Sequence, residues 1–166
     1  MLMRTPAHAR SWMMLACFLS LALILISAAA NGAQSDVAII VNPVNPVSNL
    51  TLAELRKIYM GERQYWKASS PVVLLMRSRG SRERAAILMD VFQMSEEQYT
   101  QYWVAKVMRA ESSDSPASLF SHGMIQEGVR GNAGAIGYLD MNDVRPGVKV
   151  LRINGVLPGE AGYPLH

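Results

Sequence analysis

Apolar residues in this chain fall into two kinds of pattern, short unbroken runs and stretches of helical period. Val37-Ala38-Ile39-Ile40-Val41 is apolar throughout. A run of that length suits a strand buried on both faces. Asn42-Pro43-Val44-Asn45-Pro46 follows, and its prolines force an extended turn. Thr51 then stands where a helix N-cap would, with Glu54 at the capping-box spacing. Leu52, Leu55, Ile58 and Tyr59 form one apolar stripe, and Gly61 fits a left-handed helix end. Val72-Val73-Leu74-Leu75-Met76 reads as a second strand, and Ala85 to Phe92 as a helix. Ser95 with Glu96 and Glu97 marks a further helix start. Tyr99, Tyr102, Trp103, Lys106 and Val107, with Met108, follow on it, and the aromatic stripe reads as core. The segment from Ala117 to Val129 is expected to be helical. Ala135 to Leu139 reads as a short strand, and Val148 to Ile153 as a half-exposed edge strand. Strands alternating with helices predict an α/β fold with a partly parallel sheet.

Before all of this lies a segment of another kind. Arg4 and Arg10 precede an uncharged stretch from Trp12 to Ala30, and Ser27 to Ala33 is rich in small residues. That order is the signature of a secretory signal, residues 1–33. An uncleaved anchor is the competing reading, since a spanning helix needs about 20 apolar residues. The small-residue cluster favours cleavage and a periplasmic location, leaving the membrane contacted only through the signal segment. Residues 34–155 would form the one folded domain. The Gly/Pro-rich residues 156–166 would be a loose tail.

Removing the signal changes the charge argument. The whole chain carries 16 basic and 13 acidic residues, but Arg4 and Arg10 leave with the signal. The remainder is near neutral, without a basic stripe interleaved with aromatics, so nucleic acid is not an expected partner. Cys17 is the single cysteine and lies inside the signal. No disulfide or thiol chemistry is therefore expected of the exported part. His122 has no histidine or cysteine at ligand spacing and reads as a surface helix residue, so neither metal nor cofactor is expected. No nucleophile elbow, phosphate loop or dinucleotide glycine pattern occurs, which leaves an enzyme without a motif.

The chemistry-bearing stretch is the turn after the second apolar run, Arg77-Ser78-Arg79-Gly80-Ser81-Arg82-Glu83-Arg84. A buried strand ends in a glycine turn that opens a helix. Amides without intrahelical partners and the positive end of the helix dipole make such a place suited to an anion. Four arginines add charge, although an arginine-rich stretch also describes a solvated helix start. The residues singled out are Arg77, Arg79, Gly80, Ser81 and Arg82.

Four pieces of the chain resemble the phosphate-binding proteins of ABC transporters. They are Val37 to Pro43, Leu50 to Gly61 with Trp66 soon after, the pair Tyr102-Trp103, and Gly134-Ala135-Ile136-Gly137-Tyr138. The resemblance implies one lobe of a periplasmic-binding-protein-like fold, with a mixed sheet flanked by helices, of the short single-lobe type. It places Arg77, Gly80 and Ser81 on the family's arginine, glycine and serine. Arg82 and Glu83 stand where the family has glycine and threonine. Glu83 would repel an oxyanion, whereas Arg79 and Arg82 offer bidentate pairing. A small phosphate-like oxyanion is the implied ligand, and an ABC permease or a sensor protein the implied partner. The alternative is a lobe that has lost its ligand and docks on a sensor or envelope protein.

Overall fold

The computed structural model describes residues 35–66 and 70–166. The expected export signal lies outside the described residues. In chain order the elements are β1 (Val37–Val41), β2 (Asn49–Leu50), α1 (Leu52–Tyr59), β3 (Val73–Arg77), α2 (Arg82–Ala86), α3 (Glu96–Met108), β4 (Ala117–Leu119), α4 (His122–Gly131), β5 (Ala135–Asp140), β6 (Lys149–Val150) and β7 (Arg152–Ile153). A π-helical segment, Ile87–Phe92, continues α2, and a 3-10 turn, Met141–Asp143, follows β5.

Five strands form a mixed sheet in the order β4-β3-β5-β1-β6. β3 runs parallel to both β4 and β5, while β1 is antiparallel to β5 and β6. The sheet lies between two helical layers. Val37, Ile39 and Val41 of β1 point into the larger core, with α1, α2 and α3. Ala38 and Ile40 point the other way, into a smaller core under α4 with Ile125 and Val129. All five residues of β1 are sealed from solvent, as the unbroken apolar run predicts. Gly137 of β5 makes the α4 side possible, because a Cβ there would come within 2.7 Å of Ile125.

Four expectations change. Ala117 to Val129 is not one helix. Ala117–Leu119 pairs with β3 as an edge strand, and the helix begins only after Ser121, whose hydroxyl accepts the Met124 amide. Register with β3 outweighs helix propensity for these three residues. The helix expected from Ala85 starts at Arg82, capped by Ser81, and widens from Ile87. The edge strand read across Val148 to Ile153 splits: β6 joins the main sheet, and β7 pairs in parallel with β2. The C-terminal residues are packed rather than loose. Tyr163 and Leu165 are buried, the Tyr163 hydroxyl donates to the Val37 carbonyl, and the Val37 amide donates to Leu165. Glycine and proline set the path of this segment, but two apolar side chains decide where it lies.

Candidate functional site

Arg77 is the last residue of β3, on the α4 side of the sheet like Val73 and Leu75. The chain then turns through Gly80, whose φ of +81° favours glycine and around whose Cα there is open space. The Ser81 amide donates back to the Ser78 carbonyl, closing the turn. The Ser81 hydroxyl then accepts the Arg84 amide and caps α2. The first-turn amides of Arg82 and Glu83 have no acceptor inside the helix. The Glu83 carboxylate turns back on its own amide.

The arginines of this turn do not converge. Arg82 reaches Asp140 at the end of β5, 2.8 Å away. Arg77 faces the opposite flank of β3, where one terminal nitrogen lies 3.4 Å from the Leu119 carbonyl of β4. Arg79 and Arg84 share Glu96 of α3, at 3.1 and 2.8 Å. Arg84 makes a two-pronged contact with Glu96 and also donates to the Arg77 carbonyl. It is a buried strut between strand and helix, not a cation awaiting a ligand. The cluster that sequence presents as four free charges is thus largely matched by Glu83, Glu96 and Asp140.

Two guanidinium atoms stand apart from this matching. Arg77 Nε and Arg82 Nη1 are buried and make no hydrogen bond. The Arg77 side chain is about one-tenth exposed, and the nearest carboxylate oxygen to its Nε, on Glu83, is 3.7 Å away. Glu83 bonds instead to Nε2 of His122 at 2.6 Å, and Nδ1 of His122 lies 2.5 Å from Asp143. Burial pushes the Glu83 carboxyl up, but bonds from its own amide and His122, with the charges of His122 and Arg77, hold it below the usual range. Burial likewise pushes Asp140 up. Hydrogen bonds from Ser35 and the Asn142 amide, with Arg82, hold it lower. Both carboxylates therefore stay ionised at neutral pH.

Sequence reasoning singled out the turn but missed its counter-charges. His122 is not a free surface histidine: it opens α4 and bridges two acids. The one readable signal was Ser121 ahead of it as an N-cap, and treating Ala117 to Val129 as one helix hid that. In the sequence Glu96 has only the place of a first-turn acid, and nothing in the pattern marks Asp140. The aromatic stripe behaves as expected for Tyr99 and Trp103, which are buried, but Met108 is 83% exposed. Beside the turn, between α3 and β4, lies a hollow of about 760 Å³ bordered by Arg79, Tyr99, Trp103, Val107, Met108 and Phe120. Among the described residues no cluster of acids, histidines or cysteines fits a metal ion. No helix among them is long and apolar enough to cross a membrane.

The sequence profile of the PBP superfamily domain matches residues 31–156. Solved structures share the fold. One, described as a phosphate ABC transporter substrate-binding protein from Clostridium perfringens with bound phosphate, is 29% identical, with a TM-score of 0.61. The match covers 75% of this chain and 47% of that one. An ABC-type phosphate transport receptor from Vibrio cholerae is 23% identical at a TM-score of 0.61, over 75% of this chain and 48% of that one. PstS from Borrelia burgdorferi is 20% identical at 0.63, over 79% and 54%. The chain thus spans about half the length of these proteins, and the latter two speak for the fold alone.

Proposed function

Since the chain belongs to the PBP superfamily, we propose that it is an extracytoplasmic solute-binding module that takes a small oxyanion of the phosphate class at the Arg77–Glu83 turn. The observation that carries this reading is Arg77. A guanidinium held in the interior at the end of a strand keeps an N–H with no partner, and such a donor is costly to leave unmade. An anion oxygen would satisfy it. Gly80 leaves the approach open, Ser81 adds a hydroxyl, and Arg79, the most exposed arginine of the turn, adds charge at the rim, while Arg82 is turned to Asp140. The relative from Clostridium perfringens holds phosphate, which agrees with this ligand class. The role is binding rather than conversion, within ABC-type uptake or sensing.

Calorimetry of the purified full-length chain with phosphate, sulfate and pyrophosphate tests the reading. Saturable heat at millimolar ligand or below is expected, weakened by roughly tenfold or more in Arg77→Ala, as loss of a charged hydrogen bond implies. Absence of heat with all three anions at millimolar concentration, in wild type and equally in Glu83→Gln, which removes the acid beside Arg77, defeats it. A second reading has its own support. The hollow beside the turn exposes Met108 and Phe120 at 83% and 77%, with Val104 and Val107 beside them, and exposed apolar residues grouped around one hollow are what a docking face offers. In that reading the lobe binds a sensor or envelope protein without a ligand, and Phe120→Ser abolishes capture of that partner while leaving anion heats unchanged.

A further inference from the structure

Resting on that reading, the following concerns how the same seat is opened. Arg77 is the one arginine of the turn whose carboxylate stands off. Glu83 Oε2 stops 3.7 Å short of its Nε, because Glu83 Oε1 is held at 2.6 Å by His122. His122 in turn contacts Asp143 through its other ring nitrogen at 2.5 Å. A neutral imidazole has one N–H and can donate to only one of two acids, whereas an imidazolium donates to both. His122 hydrogen-bonds Glu83 through Nε2, and its Nδ1 lies 2.5 Å from Asp143, so an imidazolium is drawn to both acids whereas a neutral ring can donate to only one.

We propose that Glu83 is a movable internal counter-anion of Arg77, and that charged His122, braced by Asp143, draws it aside so that an external oxyanion can take its place. When His122 loses its proton, only one acid can keep an N–H bond. Asp143, the more exposed of the two at 41% against 7% for Glu83, can turn to water. Glu83 is buried, and Arg77 Nε, an unsatisfied donor, stands 3.7 Å from its free oxygen. Seated there, it neutralises the guanidinium and repels an incoming anion. The same site then alternates between a resident carboxylate and a bound oxyanion.

The charged groups around Glu83 are few. Arg77 approaches from β3 and His122 from α4, with Asp143 of the 3-10 turn behind it. Its neighbours Arg82 and Arg84 are committed to Asp140 and Glu96. Glu83 itself stays ionised across the range in which histidines ordinarily titrate, near about 6.5, because its carboxyl is held low.

The test compares phosphate affinity of the full-length chain and of Glu83→Gln between pH 5.5 and 8.5. Taking the ratio of the two affinities at each pH cancels the ionisation of phosphate itself. Glu83→Gln is expected to bind about tenfold more tightly than wild type at pH 8.5, a common size for coupled sites, with the ratio shrinking towards unity at pH 5.5. His122→Asn is expected to bind weakly at both ends and to lose the pH trend in that ratio. A cooperative unfolding transition well above the assay temperature in each of the three proteins, whatever its midpoint, shows that the folded state is retained. If wild type binds phosphate and the ratio stays near unity throughout, the counter-anion is refuted while the oxyanion reading stands. If Glu83→Gln binds and wild type does not, the counter-anion is supported in its strongest form. If neither binds at any pH, both readings fall.

Discussion

Two helix starts in this molecule use the same local chemistry and reach different ends. At α1, Thr51 accepts the Glu54 amide, and Glu54 folds back onto the Thr51 amide and hydroxyl. The capping box closes within three residues, while the Leu52 amide donates to Asn154 Oδ1 at 3.2 Å and Arg63 stands 4.0 Å from Glu54. At α2, Ser81 accepts the Arg84 amide in the same way, but the acid in the first turn, Glu83, does not return to its cap. It reaches His122, 39 residues on, and faces Arg77. At the first start the acid stays with its own cap, one amide borrows Asn154, and α1 is placed by its buried stripe of Leu55, Ile58 and Tyr59. The second is a junction of β3, α2, α4 and the turn after β5. A helix terminus becomes available for function when its polar side chains are drawn into the tertiary structure, not merely when its cap is present.

The contrast can be broken at several points. The largest effect is expected at Arg84, the buried strut of the second start. Arg84→Ala leaves Glu96 with Arg79 alone and removes the donor to the Arg77 carbonyl, and should cost about 3 kcal/mol in urea unfolding. Next comes the long-range contact. A double-mutant cycle on Glu83→Gln and His122→Asn should give a coupling of about 1–2 kcal/mol, as contacting residues show. A coupling near zero would mean that α2 is as self-contained as α1. The caps themselves should be alike: Thr51→Ala and Ser81→Ala are each expected to cost about 1 kcal/mol, read from the same unfolding curves.

The smallest effect separates the two acids by pH. Both Glu54 and Glu83 are held below the ordinary value of 4.5. For Glu54 the Thr51 backbone and side-chain bonds are the main causes. For Glu83 burial acts in the opposite direction and is outweighed by hydrogen bonds and charges. A depressed acid adds stability that is complete above its unfolded value and drains away as pH falls through its folded value. Wild type should therefore weaken below about pH 4.5. Glu83→Gln should flatten that loss. Glu54→Gln should change it by only about 0.3 kcal/mol and less still in salt, since Glu54 is about half exposed.

How much of this was legible beforehand follows the range of the interactions. Runs and periods predicted β1, β3, β5, α1 and the start of α3, because burial on one or both faces imprints itself on neighbouring residues. The resemblance carried the PBP-like architecture, which the profile over residues 31–156 bears out. The β4 strand escaped notice because three residues hold too little pattern and take their form from register with β3. The C-terminal segment escaped for a similar reason. Its anchors, Tyr163 and Leu165, are single side chains whose partners lie at the opposite end of the domain.

By itself, then, the amino-acid order determined the layered α/β scaffold, the capped helix starts and the placing of four arginines at the mouth of β3. Only the tertiary structure decided which acid each arginine meets, that Arg77 alone is left short of its own, and that a histidine from α4 stands between. Hydrophobic period is a local property, repeated every two to four residues, and can be read along a chain. Charge pairing depends on which strands lie side by side, and the crossover β4-β3-β5 brings together Arg77, Glu83, His122 and Asp143, whose separation in sequence gives no sign that they meet.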